Sequence, residues 1–176
     1  RSDPNIAIKY GEEAKKLSES LQYELGLAYA LKNIGLGYFN QGNYAEAAFN
    51  WEQSLDVFRS MNDENGVANI IGNLGAAYSS LGDDVKAIDF FLQSISIAEK
   101  SADSVRIATC LLNIGYIYSG KAATHDKAKD YYLSALHISE LIDYEDAIGF
   151  VAYGLGDLYY QRGEYDTALA YFKETL

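Results

Sequence analysis

One pattern narrows the fold of this chain more than any other: it repeats itself about every 40 residues. Asn33-Ile34-Gly35 returns as Asn73-Leu74-Gly75 and Asn113-Ile114-Gly115 at intervals of 40, then as Gly154-Leu155-Gly156 after a step of 41. Three further columns keep the same beat: Tyr38, Tyr78, Tyr118 and Tyr159; Ala47, Ala87, Ala128 and Ala168; Trp51, Phe91, Tyr132 and Phe172. Chance does not place four columns in register.

Within a unit the apolar residues fall three and four apart, as in Leu31, Ile34, Gly35 and Tyr38, then Ala47, Trp51 and Leu55. That is the period of an amphipathic helix and not of a strand. Gly42, Gly82 and Gly163 lie between the two runs, where a residue in the left-handed region ends a helix. Each unit is therefore a helix-turn-helix hairpin. The spacing predicts first helices over 24–41, 64–81, 104–120 and 145–162, and second helices over 44–60, 84–100, 126–141 and 165–176. Asp63, Asp103 and Asp143 stand as N-caps of first helices, and Asn43 with Glu46 as a capping box before a second helix. The only proline, Pro4, leaves the remainder free of the strongest helix breaker.

The units are then 24–61, 64–101, 104–142 and a truncated 145–176, preceded over 5–20 by the second helix of a partial unit, all within one domain spanning 1–176. The open ends lead us to expect flanking repeats or domains in a larger protein, because repeat arrays need polar caps.

This arrangement of a large residue, then Leu/Ile-Gly, then Tyr on the first helix, with Ala and an aromatic on the second, resembles the tetratricopeptide-repeat (TPR) family. The 40-residue length and the Asn before Leu/Ile-Gly are similar to its long-repeat members. These are the Leu-Gly-Asn-repeat scaffolds, kinesin light chains and the TPR regions of bacterial signalling proteins. The third unit departs from the pattern by replacing the turn glycine with Lys121-Ala122-Ala123-Thr124, and the fourth by carrying Gly154 in place of Asn. The resemblance implies an all-α fold, a right-handed α-solenoid superhelix of TPR helix-turn-helix hairpins whose first helices line a concave groove. It also implies protein-protein interaction as the function, in the sensory or scaffold region of a larger signalling protein. The alternative is a self-association module that dimerises attached output domains such as a cyclase or histidine kinase.

Around the first helices, at about 100° per residue, Tyr29, Asn33, Leu36 and Asn40 point away from the core set, as do their counterparts in the other units. Only Asp157 is charged among these sixteen positions, in a chain with 22% charged residues. The second helices carry charge freely, as at Glu46, Glu52, Asp56 and Arg59. The candidate peptide-binding residues are thus Asn33, Asn73 and Asn113, with Tyr29, Leu36, Asn40, Asn69, Tyr116, Phe150 and Tyr153. An asparagine amide both donates and accepts, which suits a peptide backbone. It equally suits a bond to the neighbouring helix that fixes repeat stacking, and both roles stay open at this point. Lys32 and Arg106 are the only cations nearby, too few for a clamp on a terminal carboxylate.

A net charge of −11 repels phosphates and anionic headgroups, so neither nucleic acid nor a membrane surface is an expected partner. A protein or peptide is expected, with a homodimer possible. No phosphate-binding glycine loop, metal-binding histidine pair or nucleophile elbow occurs, so no enzyme activity, metal or cofactor is expected. His125 and His137 read as solvated helix positions, and the acidic pairs Asp63-Glu64 and Asp83-Asp84 as helix starts. The lone Cys110, in an apolar stretch, reads as a buried structural thiol and fits a cytoplasmic location.

Overall fold

The structure, a computed structural model, describes residues 3–173. Among these, all regular structure is helical: α1 (Pro4–Ser20), α2 (Glu24–Asn40), α3 (Tyr44–Ser60), α4 (Glu64–Ser80), α5 (Asp84–Ser101), α6 (Ser104–Ser119), α7 (His125–Leu141), α8 (Glu145–Gln161) and α9 (Tyr165–Lys173). The bounds fall within one or two residues of those expected from spacing, except that the tail of α9 lies outside the described residues. Pro4 opens α1 at a position where its missing N–H costs nothing, behind an Asp3 cap that accepts from the Asn5 amide at 2.9 Å. The chain divides into two compact units, 1–90 and 91–176, the division falling within α5.

In the first unit, α2 and α3 form an antiparallel hairpin. Near the turn, Phe39 meets Tyr44 with ring centroids 5.2 Å apart. Further back, the Trp51 indole N–H donates to the Lys32 carbonyl at 3.0 Å, and the Ser54 hydroxyl to the Ala28 carbonyl at 2.8 Å. Gly35 admits the indole, since a Cβ there would stand 2.5 Å from Trp51 Cδ1. Gly66 serves Phe58 likewise where α3 meets α4. Small residues on the repeat beat thus make room for aromatic ones, and close packing follows.

The second unit repeats this plan. Ala128, Tyr132 and Ala135 of α7 pack with Val151, Leu155 and Leu158 of α8 in one buried cluster. Positions 115 and 156 are the sockets for Tyr132 and Phe172, where a Cβ would lie 2.7 and 2.6 Å from the rings. Across both units, the tyrosine column has a use that spacing does not reveal. Tyr78 stacks on Phe90, Tyr118 on Tyr131 and Tyr159 on Tyr171, with centroids 5.5–5.6 Å apart and planes within 18°. The hydrogen bond from the Tyr78 hydroxyl to Glu52, at 2.6 Å, is the main cause of its pKa being pushed up to about 12, ahead of burial and the charges of Glu52 and Asp83.

The turns bear out part of the expected chemistry and correct the rest. Gly42, Gly82 and Gly163 do sit in the left-handed region, with φ of +79°, +78° and +78°. Asp63 and Asp103 do cap, accepting from the amides of Gly66 and Arg106 at 3.0 Å each. Asp143 does not. The extra residue of the third unit shifts the frame by one, so Asp143 takes the left-handed position (φ 53°) filled elsewhere by Gln22, Asn62 and Ala102, and Tyr144 becomes the N-cap. Asn43 occupies an N-cap but makes no side-chain cap bond, donating instead to the Gln41 side chain at 3.1 Å. The turn without a left-handed glycine is a short 3-10 turn over Ala122–Thr124, held by the Thr124 hydroxyl on the Tyr118 and Lys121 carbonyls at 2.6 and 2.9 Å.

These differences set a direct expectation. Asp63→Ala should lower unfolding free energy by about 1 kcal/mol, whereas Asn43→Ala, which removes no cap bond, should change it by less than about 0.5 kcal/mol. Urea unfolding followed by circular dichroism checks both, and equal losses at 63 and 43 would contradict the capping assignment.

His125 is also corrected. It is buried at the start of α7, directly after the 3-10 turn, while His137 is exposed as expected. Cys110 is buried, and burial pushes its thiol pKa up, opposed in part by the nearby Ser94 hydroxyl and the Arg106 charge.

Candidate functional site

The faces of the first helices that turn from the hairpin cores differ between units in what they build. In the first unit, Tyr29, Asn33, Leu36, Asn40 and Asn69 are exposed and Asn73 is half-buried. Tyr29 leans edge-on against Phe58, with centroids 5.5 Å apart, and the Lys32 ammonium stands 5.7 Å from its ring. Asn69 turns its amide back onto its own helix, donating to the Asn65 carbonyl at 3.0 Å.

In the second unit the same face is hollow. A cleft of about 520 Å³ lies along α6 and α8, lined by Leu112, Asn113, Tyr116, Ser119, Tyr132, Phe150, Tyr153, Gly154 and Asp157. A neighbouring hollow of about 580 Å³ shares Phe150 and Tyr153 and extends to Glu145, Asp146 and Gly149. The first volume falls within the range of ligand-holding pockets, while the second hollow is shallow and open to solvent. Four of the residues expected from spacing, Asn113, Tyr116, Phe150 and Tyr153, meet in the first cleft, whereas the other six lie in the first unit.

The walls are aromatic and unspent. Tyr116, Phe150 and Tyr153 are 68%, 68% and 62% exposed. Tyr153 rests in part on Phe172, with centroids 5.9 Å apart. Large apolar rings left in water mark a surface that gains by being covered. Helix α8 presents its two rings together because positions 150 and 153 are one turn apart.

The floor is Tyr132, only 3% exposed. Its ring fills the Gly115 socket of its own hairpin and continues to α8, where a Cβ at position 154 would lie 2.7 Å from Cζ and 3.0 Å from the hydroxyl oxygen. This accounts for the missing asparagine of the fourth unit. The phenol occupies the space beside Gly154 that a side chain would need, and the cleft is open there because the repeat pattern is broken. The Tyr132 hydroxyl reaches Ser119 Oγ only at 3.5 Å, the outer limit of a hydrogen bond, so it keeps capacity for another partner. Burial pushes the phenol pKa up; the Ser119 contact opposes this and the Asp157 carboxylate adds to it.

Asn113 donates one amide hydrogen to the Thr109 carbonyl of its own helix at 2.9 Å. Its amide oxygen is not engaged by that bond, so the side chain is half committed to its helix and half directed to the cleft. Asp157 is held by the Gln161 amide at 2.6 Å. Leu112, Ser119, Tyr132, Gly154 and Asp157 complete the cleft without standing among the candidate binding residues chosen from spacing. For Tyr132 the signal was present as a hydroxyl absent from its counterparts Phe91 and Phe172, and for Asp157 as the lone charge on the face. Among the described residues no group of three or more His, Cys, Asp or Glu is placed to hold a metal ion, and no helix is long and apolar enough to cross a membrane.

Solved structures share this fold across nearly all of the chain. BtubC from P. vanneervenii is 19% identical, with a TM-score of 0.79 over 99% of this chain and 73% of its own. The apo form of RapI is 16% identical, with a TM-score of 0.74 over 98% and 75%. The Rap conjugation gene regulator of plasmid pLS20, solved in complex with a peptide, is 23% identical, with a TM-score of 0.79 over 90% and 44%. None of the curated proteins matches the sequence. Tetratricopeptide-repeat family models match residues 26–100 and 66–140, with a further match over 152–176. With the hairpins, sockets and 40-residue beat in place, the chain belongs to the tetratricopeptide-repeat family.

Proposed function

We propose that this chain is a protein-protein interaction module that holds a peptide or protein segment against the exposed face of α6 and α8, and that it serves as the sensory or scaffold region of a larger signalling protein. One observation carries the reading: three aromatic side chains stand exposed around a cleft whose floor offers an underused hydroxyl and an amide oxygen. Rigid aromatic walls with a few polar groups are the usual chemistry of a binding hot spot. The family supports it, as does the peptide seated on the structurally similar Rap regulator. Tyr29, Asn33, Leu36, Asn40, Asn69 and Asn73 form a candidate binding face of the first unit taken by itself. The residues lining the cleft include no nucleophile paired with a base, so binding, not catalysis, is the function proposed.

The test is a nuclear magnetic resonance titration of the 15N-labelled chain with a pool of acetylated, amidated octapeptides. Shifts should concentrate on 112–119 and 149–157. The Phe150→Ala/Tyr153→Ala variant should bind the best peptide of the pool at least roughly 30-fold more weakly, while its melting temperature stays close to the parent because both rings are largely exposed. Shifts confined to the outer faces of α7 and α9, or undiminished binding by the variant, would refute the site.

A further inference from the structure

Helix α8 arranges four side chains in one stripe. Asp146, Phe150, Tyr153 and Asp157 follow at steps of four, three and four, which places them on one face. The two hollows described above open along this stripe, with Phe150 and Tyr153 common to both, Asp146 in one and Asp157 in the other. The ends of the stripe are carboxylates and its middle is aromatic. Eleven residues of helix separate the carboxylates by about 16 Å.

The two acids differ in what the fold itself asks of them. Glu145 and Asp146 stand in the first turn of α8, where the helix dipole favours negative charge. Asp157 stands toward the other end of the helix, away from that favourable N-terminal turn, and it is half-buried against the cleft. No cation answers it from the lining, and α8 contains neither Lys nor Arg. Arg162, just beyond the helix, is engaged by Asp126 at 3.1 Å and Glu164 at 3.6 Å. A half-buried carboxylate with no cation in its lining, beside exposed aromatic rings and a buried phenol, fits a ligand that brings the positive charge.

Resting on the peptide-binding reading of this cleft, we propose that its occupant is a basic segment: an extended stretch carrying two Arg or Lys side chains four to six residues apart, with an apolar or aromatic residue between them. An extended chain advances about 3.3 Å per residue, so five residues span the stripe. One cation pairs with Asp157 and stacks on Tyr153 or Tyr116, the other reaches Asp146 and Glu145, and the central residue enters between Phe150 and Tyr153 over Tyr132. Guanidinium groups suit such a site because they combine a carboxylate fork with an aromatic face. The chain's net charge of −11 draws a basic partner toward it at long range.

Calorimetric titration of the whole 176-residue chain with three octapeptides decides the matter. The probes are Ac-Ala-Arg-Ala-Leu-Tyr-Ala-Arg-Ala-amide, the same peptide with both Arg replaced by citrulline, and the same with both replaced by Glu. At low salt the Arg peptide should bind at least roughly tenfold tighter than the citrulline peptide, and the Glu peptide weakest, with the gap narrowing as salt rises. Asp157→Asn should remove most of the Arg preference, bringing the Arg and citrulline peptides to within about threefold of each other. Asp146→Asn, which leaves the cleft floor untouched, should remove part of it, and it serves in place of Asp157→Asn if circular dichroism shows that variant misfolded. Equal affinities for the Arg and citrulline peptides, or a preference for Glu, overturn the basic-segment proposal and leave the peptide-binding reading standing. No binding by any of the three overturns both.

Discussion

Trp51→Ala should destabilise the chain by about 3–5 kcal/mol, the cost of emptying a fully packed aromatic site. The indole is only 2% exposed, lies in the Gly35 socket, packs against Phe39 with centroids 5.6 Å apart, and donates its N–H to the Lys32 carbonyl. The small residue at 35 deepens the loss, because glycine has no side chain to move into the void on that side. Trp51→Phe should cost less, since Phe91 and Phe172 hold the same column elsewhere. Trp51 is the only tryptophan, so the measurement is thermal unfolding by circular dichroism rather than fluorescence. A melting point within about 2 °C of the parent, less than the shift expected for 1 kcal/mol in a chain of this size, would show that the socket is not the keystone the packing implies.

Gly154→Asn should restore the repeat signature and damage the protein. The new Cβ would lie 2.7 Å from Tyr132 Cζ, and Tyr132 is clasped on its other side by α6, so the ring has no easy retreat. Overpacking of this kind costs about 1–3 kcal/mol. The amide would also project into the cleft, so peptide binding should fall along with stability. Gly149→Ala on the same helix is the control. Nothing lies within 4 Å of its Cβ, and alanine should stabilise by roughly 0.5–1 kcal/mol. In a Tyr132→Ala background the cost of Gly154→Asn should largely vanish, because contacting residues couple. Strictly additive losses in that double mutant would refute the steric account of the missing asparagine.

Both expectations draw on what columns of residues can and cannot convey. A glycine on the beat opposite an aromatic on the beat is visible as spacing, so the sockets at 35, 115 and 156 are legible in the sequence. The reason the fourth unit abandons its asparagine is not. That reason is a ring rooted 22 residues earlier, on another helix, whose tip stands 2.7 Å from where a Cβ at 154 would lie. The N-caps follow the same division. Asp63 and Asp103 cap as their spacing implies, whereas Asp143 falls out of frame after a turn whose extra residue is absorbed by a Thr124 hydroxyl.

The asparagines show the division most plainly. Asn33, Asn73 and Asn113 are equal as a column, yet Asn113 folds its amide onto Thr109, sits beside Tyr132 and lines a cleft, while Asn33 and Asn73 belong to the first unit. Local periodicity determined the helices, the hairpins, the left-handed glycines and the small-to-large packing, because each depends on residues within one turn or one unit. Tertiary packing alone decided that α6 and α8 enclose a hollow, that Tyr132 floors it, that His125 is buried and that Asp157 faces exposed aromatic rings. These depend on how side chains from separate helices fill, or fail to fill, a shared volume, and no single column of the repeat encodes that sum.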